Sequence, residues 1–537
     1  MSLGTADKIR FVDRVAGIER LAPWTRRAAI AGVGLASNLA HAPFYLFPAL
    51  ACGLVLCVWL IDGAAKAERP MRAAFGRIWL FAFFYFLGGL YWVGSSFLQV
   101  DGAEALMIPA VLALPAGLAL FWGAAAALAV TFWSSGPRRI VLFALAIMAA
   151  EWARGHAFGG FPWDLPGYVW RAGEPVSQFA SVVGIYGLSL LTVLMLAAPA
   201  ALADQGPFPH RAAPALAAAL GLGLLWGAGA HRLGSNPPGV AGEVIVRVAD
   251  SGLGQEEKWR AGNEYNVFSR YLDLLDTPGP SHAEIVIWPE SAVPVLLLEQ
   301  PDLLEEIGAR LGARTLITGV VRSEPRQGQA HGQPPLYFNS AIVLTGGDSA
   351  QLGQIYNKSR LVPFGEFIPL WRELAPFLKM KALQQIGSGF EPGGPPARMI
   401  VPGGPPAVFL ICYESIFPGL IPRGEGRPDW IVNVTNDAWF GGQTGPYQHY
   451  NEARYRAIEE GLPLARAASG GVSAIIDPYG RKVVETGLKG GAVEAPLPPP
   501  LPPTPCARAG WLAPASVFFV VTLLGIALPG GRRRAGQ

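Results

Sequence analysis

The sequence predicts a polytopic α-helical membrane domain of about eight transmembrane helices, joined to an α/β extracytoplasmic domain. Three observations predict it. Of 537 residues, 51% are hydrophobic and only 15% charged, against roughly 25% charged in soluble domains. The deficit is local: residues 28–61, 78–100, 105–137, 179–203, 212–230 and 509–531 carry no Asp, Glu, Lys or Arg, whereas 242–490 has an ordinary globular composition. Basic residues also gather in alternate connections between the apolar runs.

A spanning helix needs about 20 apolar residues. The 28–61 run is too long for one pass and is interrupted at Asn38, His41 and Pro43, so it reads as a hairpin of two short helices. The 105–137 run has Pro109 and Pro115 near its start and reads as one span. The shortest run, 140–150, becomes a span only if Glu151 and Trp152 extend it. Seven spans then precede the globular region and one follows it. The segment 496–506, Pro-rich from Pro496 to Pro505, reads as a stiff linker into the last span. The expected domains are 1–231, a membrane domain; 232–495, an α/β domain; and 496–537, the linker, final span and basic tail.

Orientation follows from the short-loop cations. Lys8, Arg10, Arg14, Arg20, Arg26 and Arg27 precede the first span. Lys66, Arg69, Arg72, Arg77, Arg138, Arg139 and Arg211 fall in later loops on the same side, as do Arg532, Arg533 and Arg534 in the tail. The opposite short loops hold Arg154 and Arg171. Both termini are therefore expected in the cytoplasm and residues 232–508 outside it. The first 27 residues are polar and lack the apolar core of a cleavable signal peptide. A net charge of +3 gives no ground for a nucleic-acid partner.

In the globular region, β-branched runs recur at 243–249, 284–288, 315–321, 340–345, 407–413, 430–435 and 472–477. Between them, 261–276, 301–312 and 450–468 read as helices, and Pro/Gly-rich 391–406 as a surface loop. Alternating strands and helices make a layered α/β domain, whose chemistry gathers at the carboxyl ends of strands. Glu290, Cys412 and Asn436-Asp437 each follow a predicted strand.

Cys412 ends the apolar run Ala407–Ile411. A lone Cys there is more often a packed core residue than a nucleophile. A nucleophilic thiol needs a base or cation beside it, and two candidates exist. Glu290, next to Trp288 and Pro289, could be a base in an apolar pocket; otherwise it is a surface carboxylate. Lys358 could hold a thiolate and then an oxyanion; otherwise it is a solvated loop cation. Glu366 and Glu414 are acids set among Phe, Pro and Tyr, costly to bury unless paired. Cys52, Cys57 and Cys506 read as packing or linker residues, and the scattered His and Cys form no metal-ligand cluster.

Trp288-Pro289-Glu290, Asn357-Lys358, Leu361-Val362-Pro363-Phe364-Gly365-Glu366, Ile411-Cys412-Tyr413-Glu414 and Asn436-Asp437-Ala438-Trp439-Phe440-Gly441 resemble the nitrilase (carbon-nitrogen hydrolase) superfamily. Together with the span pattern, Gln448-His449, Ala453-Arg454 and Phe161-Pro162-Trp163, they resemble its apolipoprotein N-acyltransferase family. The resemblance covers nearly the whole chain. It implies a nitrilase-like αββα sandwich with Glu290 as general base, Lys358 as oxyanion stabiliser and Cys412 as nucleophile. Glu366 and Glu414 match supporting acids, and Tyr413 the residue whose N–H helps hold the oxyanion. Trp259 and Trp439 match aromatic positions near the substrate, and Asn339 a polar residue near the site; Trp163, in the outer 154–178 loop, could line the substrate entrance or belong to the interfacial aromatic belt. Arg247–Gly252 and Ala468-Ser469-Gly470-Gly471 depart from the family pattern.

The implied reaction is ping-pong. An acyl chain passes from a phospholipid to Cys412 as a thioester, then to the N-terminal amine of diacylglyceryl-cysteine in an apolipoprotein, with no cofactor or metal. The partners are membrane lipid and apolipoproteins, and a monomer is expected. The apolar arm 361–380 could dip into the bilayer as a lid or pack as an ordinary loop. A membrane-anchored amidase would use the same triad with water as acceptor, but needs only one anchor. A transporter would place ionisable groups midway through its spans, and apart from Glu151 these spans have almost none.

Overall fold

The apolar runs form the helices Pro23–Ser37, Phe47–Ala64, Pro70–Leu90, Met107–Ala129, Arg138–His156, Ala180–Ala197, Phe208–Gly234 and Leu512–Ala527. The computed structural model describes residues 21–99, 102–236, 242–276, 283–326, 335–367 and 389–528. Lys8, Arg10, Arg14, Arg20 and Arg532–Arg534 lie outside the described residues, as do 368–380 of the apolar arm.

Six of these helices are long and apolar enough to cross a membrane. Pro23–Ser37 and Leu512–Ala527, with 15 and 16 residues, are shorter than a full crossing of about 20. The expected hairpin is present, broken between Ser37 and Phe47. Its polar residues find partners inside the bundle: His41 Nε2 lies 2.6 Å from the Tyr85 hydroxyl, and Asn38 Nδ2 donates to Asp164 at 3.4 Å. The doubtful span is a 19-residue helix, Arg138–His156. It tolerates Glu151 because Trp122 Nε1 donates to the carboxylate at 2.5 Å and Arg154 pairs with it, which answers the cost of burying a charge.

The globular region contains two six-stranded sheets. The first has the order β12-β1-β2-β3-β4-β5, with β1 Ile245–Asp250, β2 Ile285–Ile287, β3 Thr315–Glu324, β4 Leu336–Thr345, β5 Gln351–Asn357 and β12 Gly491–Pro496. The second has the order β11-β10-β9-β8-β7-β6, with β6 Arg398–Met399, β7 Ala407–Ile411, β8 Trp430–Asn436, β9 Leu464–Ser469, β10 Ala474–Ile476 and β11 Lys482–Glu485. In each sheet a parallel core, β1-β2-β3 or β7-β8-β9, is flanked by antiparallel strands.

Alternation along the strands assigns the faces. Val246, Val248, Ile285, Ile287, Phe409, Ile411, Val432 and Val434 share a core between the sheets. Val286, Leu316 and Ile342 point outward onto the helices Glu264–Asp276 and Pro301–Leu311. Val408, Leu410 and Ile431 point outward beneath the helix Gly445–Glu460. The layers are therefore α-β-β-α.

Two sequence readings change. The segment 450–468 is not one helix: the helix ends at Glu460, Gly461 adopts φ 68°, and β9 starts at Leu464. Gly461 and Pro463 supply that stop, since a left-handed glycine caps a helix and proline cannot continue one. The loop 391–406 contributes the short strand β6.

The two domains are locked together along the helix Gly445–Glu460, buried at all its residues but Tyr447. Gln448 Oε1 accepts from the indoles of Trp92 and Trp163, each at 3.0 Å. Asn451 Oδ1 accepts from Ala172 N at 3.0 Å, and the Tyr455 hydroxyl donates to Trp170 O at 2.5 Å. A helix buried on both sides can carry polar residues only where each is partnered.

Candidate active site

Three strand ends and one loop converge on Cys412. The thiol follows β7 and opens the 3₁₀ turn Cys412–Ile416. Its φ of 48° is left-handed, a conformation that costs a non-glycine residue about 1–3 kcal/mol and survives where the surroundings enforce it. Cys412 is a free, half-buried cysteine. Burial of its sulfur and then the Glu290 charge push the thiol pKa up, while Lys358 pulls it down. The resting group is therefore the neutral thiol, with a carboxylate and an ammonium in electrostatic reach.

Glu290 lies three residues beyond β2. Its backbone passes so close to β3 that a Cβ at Gly319 would sit 2.4 Å from Glu290 Cα, so only glycine fits there. Glu290 Oε1 accepts from Asn339 Nδ2 at 2.6 Å and from Lys358 Nζ at 3.5 Å; Oε2 accepts from Asn436 N at 2.8 Å. Glu366 Oε1 accepts from the same Asn339 Nδ2 at 2.8 Å and from Lys358 Nζ at 2.9 Å. Its Oε2 takes Val362 N at 2.8 Å. One ammonium and one amide thus bridge two carboxylates. Burial opposes the Lys358 charge, but Glu366 and Glu290 overcome it and hold the pKa above the usual lysine range.

Glu414 is fully buried, and among the described residues no cation pairs with it. Oε1 accepts from the Tyr356 hydroxyl at 2.6 Å, Ser359 N at 2.8 Å, Ser359 Oγ at 2.7 Å and Arg360 N at 3.2 Å. Oε2 accepts from Ile411 N at 2.8 Å. Its carboxyl is pushed up by burial, against those hydrogen bonds. It ties the segment carrying Lys358 to the segment carrying Cys412.

The aromatic candidates differ in place. Tyr413 donates its hydroxyl to Gly160 O, in the membrane domain, at 2.5 Å and stacks on Phe161 at 6.3 Å. Trp163 is buried, 5.0 Å from Trp92 and 5.4 Å from His449 between ring centroids. Trp439 is partly exposed and presents its carbonyl to Ser96 Oγ at 3.1 Å. Trp259 is 48% exposed just after the short helix Gln255–Lys258. Phe364, where the apolar arm begins, is 62% exposed.

Two groups beside the site had no role assigned from the sequence. Lys258 is fully buried, with Nζ 3.4 Å from Glu290 O; burial lowers its pKa to about 8, against the pull of Asp250 and Glu290. Behind Cys412 lies a buried Asp437–His449–Arg466 cluster. His449 Nδ1 is 2.7 Å from Asp437 Oδ1, and Arg466 Nη2 is 2.6 Å from Asp437 Oδ2. Burial works against ionisation of Asp437, but Arg466 and His449 outweigh it and lower the carboxyl pKa. A Cβ at Gly471 would meet Asp437 Oδ2 at 2.3 Å, so this glycine in the divergent Ala468–Gly471 segment leaves room for the cluster. One signal was legible: Arg466 sits alone in the small apolar strand Leu464-Ala465-Arg466-Ala467-Ala468.

A neutral thiol flanked by a carboxylate and a carboxylate-bound ammonium can open an ester or amide by covalent catalysis. Known proteins resemble the chain in both its helical and its α/β part. Residues 33–198 match the family model for the apolipoprotein N-acyltransferase N-terminal domain, and residues 247–497 match that for carbon-nitrogen hydrolase. Apolipoprotein N-acyltransferase of Rhodopseudomonas palustris is 39% identical over 519 residues, covering 94% of this chain and 95% of the relative. Those of Bradyrhizobium diazoefficiens and Caulobacter vibrioides are 40% and 38% identical, each over 96% of both chains.

Proposed function

The chain belongs to the apolipoprotein N-acyltransferase family, and on that premise we propose how it works. It moves an acyl chain from a membrane phospholipid, through a thioester on Cys412, to the N-terminal amine of diacylglyceryl-cysteine in an apolipoprotein, the last step of bacterial lipoprotein maturation. Glu290 takes the Cys412 proton as sulfur attacks the ester carbonyl. Lys358 and the Tyr413 N–H hold the oxyanion, the ester C–O bond breaks, and the lysophospholipid leaves with the proton from Glu290. The acceptor amine then attacks the thioester and gives a proton to Glu290. The C–S bond breaks, sulfur recovers that proton, and the amide departs. Splitting one transfer into two half-reactions predicts ping-pong kinetics.

One observation carries this reading: Lys358 Nζ lies 3.5 Å from Glu290 and 2.9 Å from Glu366 and acts electrostatically on Cys412. Base, cation and nucleophile thus form one unit. Glu366 and Asn339 fix the cation and base, and Glu414 braces both strand ends. Trp259, Trp439 and Trp163 are proposed to border the lipid path.

The chain is a membrane protein with several apolar spanning-length helices. In this proposal residues 1–231 and the final span hold residues 232–495 on the outer face of the bacterial cytoplasmic membrane, with both termini inside. Lys66, Arg69, Arg72, Arg77, Arg138 and Arg139 support that orientation. The working unit is a monomer.

The test is to give the purified protein a phospholipid with one isotopically labelled acyl chain and a diacylglyceryl-cysteinyl peptide. Labelled amide and lysophospholipid are expected in equal amounts, and Cys412→Ala should form neither. Labelled free fatty acid without peptide acylation would show water to be the acceptor and sink the transferase.

A further inference from the structure

Two residues beyond Lys358 stands a second cation that takes no part in the proposed chemistry. Arg360 is exposed, and its backbone N–H donates to Glu414 Oε1 at 3.2 Å. Its guanidinium lies over the ring of Phe417, 5.6 Å from the centroid. Among the described residues, no carboxylate or carbonyl takes its side-chain N–H groups. A guanidinium resting on a ring uses its face there and leaves its fork of donors open. Phe417 in turn packs edge-on against Tyr413, the residue after the nucleophile, at 5.0 Å.

The membrane domain sets the depth of this cation. A Cβ at Gly159 would sit 3.8 Å from Pro363 Cγ, and one at Gly160 would sit 3.1 Å from Phe417 Cε1. These glycines close the spanning-length helical stretch Arg138–Gly159. Pro363 and the Phe417 ring therefore lie against the end of a membrane helix. Phe158, beside those glycines, and Phe364, beside Pro363, are 89% and 62% exposed, as large apolar side chains at a membrane-contacting surface are. At the end of a spanning helix hydrocarbon gives way to the polar headgroup layer. A cation with open donors at that depth faces lipid phosphates.

The spacing agrees. In a glycerophospholipid, five or six bonds separate an ester carbonyl from phosphorus. Six bonds separate the Cα atoms of Lys358 and Arg360, and such a chain spans about 7 Å when extended. One segment thus brings a cation to the ester and a second to the remove of the phosphate. We propose that Arg360 binds the phosphodiester of the acyl donor, through the paired donors of its guanidinium, and so seats the ester at Cys412. Every glycerophospholipid carries that group, whereas neutral glycerides lack it. The inference rests on the reading of a phospholipid as donor.

The test uses the full-length protein in neutral detergent, with acyl loading of Cys412 read by mass spectrometry. The donors are phosphatidylethanolamine, phosphatidylglycerol and, without phosphate, the p-nitrophenyl ester of the same fatty acid. Arg360 is exposed and its bond to Glu414 is made by the backbone, so R360Q keeps the fold. At subsaturating donor, R360Q should load about 10- to 100-fold more slowly from both phospholipids, the scale of a lost charge-assisted pair. Loading from the neutral ester should keep its wild-type rate, as should discharge of the thioester by the diacylglyceryl-cysteinyl peptide. R360K, which keeps the charge but not the fork, should fall between. Unchanged phospholipid loading in R360Q would overturn the proposal. So would equal slowing with the neutral ester, which would make Arg360 a structural support, and so would slowed discharge alone, which would assign it to the acceptor. Inorganic phosphate that slows neutral-ester loading in wild type but not in R360Q would mark a site for free phosphate and overturn the lipid assignment. A wild type that loads from the neutral ester and never from phospholipid would sink the donor reading and this site with it, whereas an R360Q without effect sinks the site alone.

Discussion

Glu414 offers the sharpest structural prediction, because one buried carboxylate collects five hydrogen bonds from both halves of the site. Glu414→Ala leaves the N–H groups of Ile411 and Ser359 without a partner; the Tyr356 and Ser359 hydroxyls can rotate to others, and the N–H of Arg360, an exposed residue, can be taken up by water. A stranded buried N–H costs about 1–3 kcal/mol, so these two alone cost about 2–6 kcal/mol, a large share of the 5–15 kcal/mol typical of a domain. At about 2–4 °C per kcal/mol for a domain of this size, Tm should fall by roughly 4–24 °C. Glu414→Gln keeps one accepting oxygen and turns a donor toward either Ile411 N–H or the four donors opposite, so it should lie between Ala and wild type. Activity should drop about 100-fold in E414A, since Lys358 and Cys412 lose their common brace and a shift near 1 Å has that effect. Thermal unfolding of the detergent-purified protein and the labelled-acyl assay measure both. An E414A protein with wild-type Tm and wild-type turnover would refute the bracing argument.

Other outcomes follow from the same site. Lys358→Met strands two neighbouring carboxylates and should cost about 3–5 kcal/mol of stability and 10²–10³ in turnover; wild-type turnover would remove Lys358 from the oxyanion site. Tyr413→Phe deletes the bond to Gly160 O but keeps the backbone N–H, so it should cost about 1 kcal/mol and lower kcat only a few-fold. Because burial and Glu290 raise the Cys412 pKa, alkylation at Cys412 should climb about tenfold per pH unit from about pH 6 to 8; a plateau in that window would show a preformed thiolate. The Lys258 pKa falls from 10.5 to about 8 on folding. Between those values the unfolded chain binds more protons, so this residue makes stability rise with pH there. Lys258→Met should flatten that rise in Tm, and an unchanged slope would contradict the burial of its charge.

The membrane helices were legible because lipid demands long uncharged runs, and even the Asn38–Pro43 break left a polar mark. The weak span at 140–156 was harder to read because the partners of Glu151, Trp122 and Arg154, make sense only in three dimensions. The inner strands announced themselves by β-branched runs. β5, β9, β11 and β12 did not: β5 and β11 lie at or near sheet edges and alternate with polar residues, and β9 is mostly alanine around a buried Arg466. Helix periodicity in 450–456 was carried past Gly461, where the backbone turns left-handed. In the site, the residues that carry a charge in an apolar setting, Glu290, Lys358, Glu366 and Glu414, stood out. Asp437, His449 and Arg466 did not reveal their linkage, since it joins three elements that only the parallel order β7-β8-β9 brings together.

The central claim is an acyl group carried on Cys412. The direct measurement is mass spectrometry of the Cys412 peptide after incubation with labelled phospholipid and no acceptor, in wild type and in Cys412→Ser. The expected result is the labelled acyl mass on residue 412: a thioester in wild type that discharges when the diacylglyceryl-cysteinyl peptide is added, and an oxyester in the variant that persists. Peptide acylation with residue 412 unmodified at every time point, or undiminished acylation by Cys412→Ala, would contradict it.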